Sequence, residues 1–329
     1  MSKPKVFMPY KMSDELMARV YEVCDPYVWT GPGRCPADVA KANLGEAEGI
    51  IGWFALTKEM MDAAPKLRVS ATSSVGFDHI DVEEATKRNV IVCNTPDVLT
   101  DTTADLAFSL LMSAARRIAE ADRLIRAGLW GKPGVNANLL GRDIHHATLG
   151  VIGMGRIGAA FALRGLGFHM KVLYYDAYRR QDLEEKYGYE YVDVDTLLRK
   201  SDFISLHVNL SEETKGMINA EAFAKMKPTA ILVNASRGPV VDEQALIQAL
   251  TEKRIAGAGL DVFEKEPISP ENPLLKLDNV VLAPHLGSAT AATREAMAEL
   301  AVTNVLNVLT GKAPLTPVNR EVVARQGLN

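Results

Sequence analysis

A chain of 329 residues with 47% hydrophobic and 24% charged side chains is long enough to bury two separate cores and too evenly mixed for extended disorder. The formal charge of -4 and a pI near 5.9 give no basic field for a phosphodiester backbone or an anionic bilayer surface, so neither nucleic acid nor membrane is expected as a partner. Cys24, Cys35 and Cys93 are odd in number and lack paired spacing, which argues against a disulfide framework or a metal site; with no apolar leader in residues 1–16 and no bilayer-length apolar run, a cytoplasmic protein is expected.

From the amino terminus, short β-rich runs alternate with helical patterns, and residues 6–8, 49–52, 67–72 and 90–93 predict strands of a parallel sheet. A helical stretch follows over residues 100–126, closed by Gly128. It is apolar nearly all round between Leu106 and Met112, which predicts burial against its own domain or a subunit partner. Residues 128–141 read as loop. The alternation then restarts, with strands predicted at 148–152, 171–175, 203–207, 230–234, 257–261 and 280–283, and a last helical pattern at 291–309 has no strand after it. The expected class is α/β, two doubly wound parallel-sheet domains.

The strand at 148–152 runs directly into Gly153-Met-Gly155-Arg156-Ile157-Gly158, a GxGxxG at the opening of a predicted helix. In that setting Gly153 permits a tight turn, Gly155 lets the backbone approach a pyrophosphate, and Gly158 allows close helix-to-strand packing, while the helix N-terminus offers free N–H groups to the anion. Asp176 closes the next strand at about the 20-residue spacing of the carboxylate that binds the adenosine ribose, which favours NAD. Arg179 and Arg180 follow closely. They are either solvated surface or a guanidinium site for the 2′-phosphate of NADP, so NAD is preferred and NADP use is left open.

In an open parallel sheet, ligands gather at the carboxyl ends of the strands. Arg237, Glu266 and His285 each lie shortly past a predicted strand, and singly each has an ordinary explanation as surface arginine, loop glutamate or solvated histidine. Together they meet the demands of keto-acid reduction. Arg237 can fork onto a substrate carboxylate and polarise the keto oxygen. His285 can deliver the proton this oxygen needs as hydride arrives, and Glu266 beside it favours the imidazolium form.

The motifs Ser74-Val-Gly76-Phe-Asp78, Thr95-Pro-Asp-Val-Leu-Thr-Asp-Thr-Thr103-Ala-Asp105, Val151-Ile-Gly-Met-Gly-Arg-Ile-Gly158, Asn234-Ala-Ser-Arg-Gly-Pro-Val-Val-Asp242, Gly259-Leu-Asp-Val-Phe-Glu-Lys-Glu-Pro267 and Ala283-Pro-His-Leu-Gly-Ser288 follow in order over nearly the whole chain. They resemble the D-isomer-specific 2-hydroxyacid dehydrogenases, within the glyoxylate, hydroxypyruvate and 2-ketogluconate reductase group. The resemblance implies a catalytic set at Arg237, Glu266 and His285 and a substrate-carboxylate cradle from the backbone N–H groups of Val75 and Gly76, joined by Arg237. It implies cofactor contacts from Thr103, Arg156, Ile157, Ala235 and Asp261, beside the glycines and Asp176. It further implies a discontinuous, flavodoxin-like substrate domain at 1–100 plus 289–329, completed by the carboxy-terminal helix, and a Rossmann coenzyme domain at 101–288. A homodimer built on a dimerisation helix at 101–117 is also implied. The implied activity is NAD(P)H-dependent reduction of a small 2-keto acid, glyoxylate or hydroxypyruvate, to the D-2-hydroxy acid.

Trp53 and Phe54 lie where this family shapes its pocket, and two adjacent aromatics there depart from the 2-ketogluconate reductases. They predict a bulky wall suited to a small or an apolar side chain; 2-ketogluconate or another bulkier keto acid is the alternative substrate. Phosphite dehydrogenases carry a lysine just before the Gly-Phe-Asp element, where this chain has Ser74-Val75, and formate dehydrogenases a glutamine where Glu266 stands. Both readings are disfavoured. An NAD-sensing, corepressor-like binding protein is the alternative from another class; such proteins carry long terminal extensions, whereas nineteen residues follow Thr310 here.

Overall fold

The computed structural model describes residues 2–133 and 139–328, so the predicted loop 128–141 lies partly outside the described residues. The chain divides into two compact units, one formed by residues up to Leu99 together with those from Ser288, the other by Thr100–Gly287.

The first unit holds five parallel strands, β1 (Lys5–Met8), β2 (Asp25–Val28), β3 (Gly49–Ile51), β4 (Val69–Ala71) and β5 (Ile91–Cys93), in the order β2-β1-β3-β4-β5. This is the flavodoxin-like doubly wound order, with its reversal between β1 and β3. Every residue of β3, β4 and β5 is buried, because a parallel sheet is covered on both faces and its strands read as unbroken apolar runs. The strand β2 was not predicted: Asp25-Pro26-Tyr27-Val28 carries no such run, and an edge strand tolerates a proline that the interior would reject.

The helix Ala291–Leu309 forms where the pattern placed it, with the Thr290 hydroxyl accepting a hydrogen bond from the Thr293 N–H at 3.2 Å as its cap. It packs on β3 and β4 and puts Ala301, Val302, Val305 and Val308 into the core of this unit. Asn304, fully buried on the same helix, accepts hydrogen bonds from the N–H groups of Leu315 and Thr316, which fastens the segment after it.

The second unit holds seven parallel strands, β6 (Thr148–Ile152), β7 (Lys171–Tyr175), β8 (Glu190–Tyr191), β9 (Phe203–Leu206), β10 (Ile231–Asn234), β11 (Gly257–Leu260) and β12 (Val280–Leu282). Their order, β12-β11-β10-β9-β6-β7-β8, is the Rossmann order with one strand added. Side chains alternate across the sheet. Leu149, Val151, Tyr174 and Val233 meet the helices Thr100–Ala115 and Arg156–Leu166 on one face. Ile152, Leu206, Leu232 and Leu260 meet Ala220–Lys225 and Glu243–Thr251 on the other. Each such side chain contributes about 1.5–3 kcal/mol of burial, set against the conformational entropy of ordering it.

The single helix predicted over 100–126 is two helices, Thr100–Ala115 and Ile118–Arg126. Arg117 breaks the run by adopting a left-handed conformation (φ 55°) while its guanidinium forks onto Glu120 at 2.7 and 2.6 Å. The first helix buries Ala104, Ala107, Phe108, Leu110 and Leu111 within its own unit and leaves Asp101, Asp105, Ser109 and Met112 exposed on its other face. Further exposed apolar side chains follow at Ile118, Ile125 and Trp130.

Candidate active site

Strand register brings the predicted cofactor residues to one edge. Tyr175, Ile152, Leu206, Asn234, Leu260 and Leu282 are aligned in a single row across β7, β6, β9, β10, β11 and β12. All neighbours are parallel, so the following residues, Asp176, Gly153, His207, Ala235, Asp261 and Ala283, emerge together. The half-buried Ala235 thus lies between His207 and Asp261 along this edge.

The glycine turn is built as its spacing required. Gly153 has φ 94° and donates its N–H to the Tyr175 carbonyl at 2.8 Å; a Cβ there would meet the His207 carbonyl oxygen at 2.7 Å. At Gly158 a Cβ would lie 1.9 Å from the Gly153 carbonyl oxygen, so only glycine lets the helix start this close to the strand. A Cβ on Gly155 would meet nothing within 4 Å. That open space stands at the N-terminus of the helix Arg156–Leu166, whose first turn carries the exposed Arg156 and half-buried Ile157 and whose cap has no side-chain acceptor. Such an end offers backbone N–H groups and the positive pole of the helix to an anion. Asp176 adjoins the turn, accepting the Met154 N–H at 2.6 Å and the Tyr178 N–H at 2.9 Å, with lone pairs to spare for a diol. A cradle with room at Gly155, beside a carboxylate, fits a dinucleotide.

His207 escaped the sequence reading because the predicted strand 203–207 absorbed it. Its Nε2 lies 2.8 Å from the Ser205 hydroxyl, its ring packs 4.8 Å from Phe161, and its Nδ1 is buried without a partner among the described residues. Burial pushes its pKa down to about 3, so a neutral imidazole backs the glycine turn.

The predicted catalytic side chains also converge. After β10, the buried Asn234 closes a turn by accepting from the Ser236 N–H (3.1 Å) and hydroxyl (2.8 Å) and donating to the Arg237 carbonyl (2.9 Å). Arg237 donates Nη1–H to the Ser236 carbonyl at 2.7 Å. A Cβ on the next residue, Gly238, would lie 1.8 Å from the Phe263 carbonyl oxygen, so this turn sits directly on the loop that carries Glu266. Glu266 accepts from the Phe263 N–H at 3.1 Å through one oxygen and pairs with His285 Nδ1 at 2.8 Å through the other. Burial pushes the Glu266 carboxyl up, but the hydrogen bond and charge of His285, the Phe263 N–H and the Arg237 guanidinium outweigh it and hold the group below its ordinary value.

His285 adopts a left-handed backbone (φ 55°), and Asp261 supports it. The Asp261 carbonyl accepts the His285 N–H at 2.9 Å, and its buried carboxylate accepts the N–H groups of Leu286 (2.6 Å) and Gly287 (2.8 Å). Burial pushes this carboxyl up despite those N–H donors and the nearby imidazole. Thr103 is buried at the same place: a Cβ on Gly287 would meet the Thr103 side chain at 3.2 Å and an Asp261 oxygen at 3.3 Å. Asp261, expected as a cofactor contact, therefore has an internal task as well.

Val75 and Gly76 belong to the first unit, on the loop after β4. Their carbonyls accept from Asn94 Nδ2 (2.8 Å) and the Ser74 hydroxyl (2.7 Å), while their N–H groups take no partner among the described residues. Of the two aromatics expected to wall the pocket, only Trp53 remains near the surface, stacked on His79 at 4.8 Å with the Arg34 guanidinium 4.4 Å over its ring. Phe54 turns the other way and is buried against Phe7 at 5.2 Å, which corrects the expectation of a double wall.

Residues 108–287 match the profile of the D-isomer specific 2-hydroxyacid dehydrogenase, NAD binding domain. The chain belongs to the D-isomer-specific 2-hydroxyacid dehydrogenase family. A glyoxylate reductase of Korarchaeum cryptofilum is 50% identical over 323 residues, covering 98% of this chain and 97% of that protein. A crystal structure of a Thermus thermophilus protein superposes with a TM-score of 0.88 at 40% identity, covering 95% of this chain and 99% of that one. An NADPH-dependent glyoxylate/hydroxypyruvate reductase of Sinorhizobium meliloti, solved with NADP and malonate, superposes with a TM-score of 0.85 at 36% identity, with 97% of each chain covered. Membership of this family makes the protein an NAD(P)-dependent dehydrogenase of 2-hydroxy acids.

Proposed function

We propose that the protein reduces glyoxylate to glycolate or hydroxypyruvate to D-glycerate, with NADH as the preferred reductant. The observation that carries this reading is the His285–Glu266 pair, 2.8 Å apart beside Arg237 and at the same sheet edge as the open glycine turn. Similarity to glyoxylate reductases over nearly the full chain supports the substrate class.

The nicotinamide cofactor, when bound, supplies the hydride. Gly153, Gly155, Gly158, Arg156 and Ile157 would hold its pyrophosphate at the helix N-terminus, Asp176 would take the adenosine ribose, and Thr103, Ala235 and Asp261 would border its nicotinamide end. Arg237 binds the substrate carboxylate and polarises the keto oxygen; in the other unit, the N–H groups of Val75 and Gly76 suit a carboxylate in their own right. Glu266, kept ionised, holds His285 through Nδ1, which leaves Nε2 to give its proton to the oxygen as negative charge develops there.

A homodimer is part of the same reading, supported by the exposed apolar side chains Ile118, Ile125 and Trp130. So is a cytoplasmic setting, supported by Cys24, Cys35 and Cys93 all being free thiols. Among the described residues no helix is long and apolar enough to cross a membrane. The function is tested by following NADH oxidation with glyoxylate, hydroxypyruvate, pyruvate, phenylpyruvate and 2-ketogluconate. Turnover highest with the first two is expected; no turnover with any of the five, or a clear preference for 2-ketogluconate, would contradict the assignment.

A further inference from the structure

Two arginines follow Asp176 closely enough to serve a 2′-phosphate, yet both guanidinium groups are already engaged. Arg180 forks onto Asp182 at 2.8 and 2.7 Å and donates a third bond to the Met154 carbonyl of the glycine turn at 3.1 Å. Arg179 forks onto Glu184 at 2.8 and 2.7 Å. The two carboxylates differ in how they are built. Asp182 is 62% exposed, and an isolated surface pair of that kind is weak. Glu184 is only 17% exposed and receives a further hydrogen bond, at 2.7 Å, from the hydroxyl of Tyr174, a residue fully buried in β7. The same hydroxyl accepts the Arg180 N–H at 2.7 Å. Glu184 is therefore fixed from the core, and the Arg179 and Tyr174 bonds hold its carboxyl at about 2, ionised throughout the neutral range.

We infer that Glu184 is a positioning residue that sets the preference for NADH over NADPH by keeping Arg179 occupied. The inference rests on the proposal that Asp176 takes the adenosine ribose. For Arg179 to turn to a 2′-phosphate it must abandon a bidentate partner and leave a largely buried carboxylate with one tyrosine bond. Glu184→Gln keeps the side-chain size and an oxygen to accept from Tyr174, removes the charge, and releases the guanidinium. No charged acceptor then competes with the phosphate.

The test is direct titration of NADH and NADPH by fluorescence on the wild-type protein, Glu184→Gln, Glu184→Gln with Arg179→Ala, and Asp176→Ala. Thermal melts check folding, and kcat and KM are measured with glyoxylate. Glu184→Gln is expected to tighten NADPH binding about tenfold and leave NADH within twofold, with the gain in KM and not in kcat; adding Arg179→Ala should abolish it. If Asp176→Ala shifts the NADPH-to-NADH ratio and Glu184→Gln does not, the inference is overturned while the reading of Asp176 stands. If neither variant shifts it, both fall. A gain that survives Arg179→Ala would also overturn the inference, because simple charge removal would then account for it.

Discussion

Asparagine at position 261 would take one acceptor away from the loop that carries His285. Asp261 is 1% exposed, and its two carboxylate oxygens serve the N–H groups of Leu286 and Gly287 at 2.6 and 2.8 Å. An amide has one oxygen for those two donors, so either orientation sets an NH2 group against an N–H. A hydrogen bond to a charged group contributes about 1.5–3 kcal/mol, and a buried donor left unpaired costs about 1–3 kcal/mol. Relief of the burial that pushes the Asp261 carboxyl up offsets part of this, and a net loss of about 2–4 kcal/mol is expected. The left-handed backbone of His285, itself unfavourable by about 1–2 kcal/mol, then loses its support and the imidazole shifts. A displacement of about 1 Å at a reacting group can lower turnover about 100-fold. Urea unfolding, glyoxylate turnover and NADH titration on Asp261→Asn read the three effects separately. Stability and kcat both falling, with NADH affinity changed less than kcat, is expected. Weakened NADH binding at wild-type kcat and stability would refute the supporting role and leave only a cofactor contact.

The glycine turn offers a paired test. Gly158→Ala drives a methyl group into the Gly153 carbonyl and should lower both melting temperature and NADH affinity, the latter at least ~10-fold; Gly155→Ala meets nothing in the protein, so it should melt nearly as the wild type and still bind NADH weakly. Equal NADH affinity in Gly155→Ala and wild type would remove the pyrophosphate from this turn. Glu266→Gln keeps a hydrogen-bonding side chain beside His285 but removes the carboxylate charge that holds its Nδ1, so kcat with glyoxylate should fall ~10-fold or more while NADH affinity changes little; unaltered kcat would contradict the pairing. Glu184, its carboxyl lowered from 4.5 to about 2 in the folded protein, stabilises the fold fully above the ordinary carboxylate value and loses that contribution as pH falls toward 2. The gap in denaturant midpoint between wild type and Glu184→Gln should therefore narrow between about pH 5 and pH 2, and a gap that is constant with pH would count against the pair.

Buried parallel strands announce themselves as apolar runs, and for that reason ten of the twelve strands among the described residues were legible, Thr148–Ile152 and Lys171–Tyr175 to the residue and the others within one or two residues at an end. The two missed, β2 and β8, are sheet edges with residues such as Asp25, Pro26 and Glu190, half solvated and without a periodic signal. The break between the helices Thr100–Ala115 and Ile118–Arg126 was invisible because an arginine, and not glycine or proline, takes the left-handed position. Adjacent Trp53 and Phe54 looked like one aromatic wall, but the chain after β3 turns Phe54 into the core. Within the site, residues marked by spacing against a strand, such as Gly153, Asp176 and His285, could be read. What spacing does not encode is side-chain pairing across loops: the grip of Asp261 on Leu286 and Gly287, and the engagement of Arg179 by Glu184, appear only in three dimensions.

The claim that most else depends on is that His285 donates the proton to the reduced keto oxygen. Single-turnover reduction of glyoxylate by His285→Ala, with NADH binding titrated on the same preparation, measures it. Reduction slowed ~100-fold or more with NADH affinity held within about twofold is the predicted result. Reduction at the wild-type rate, with the cofactor equally well bound, would mean that the proton comes from elsewhere.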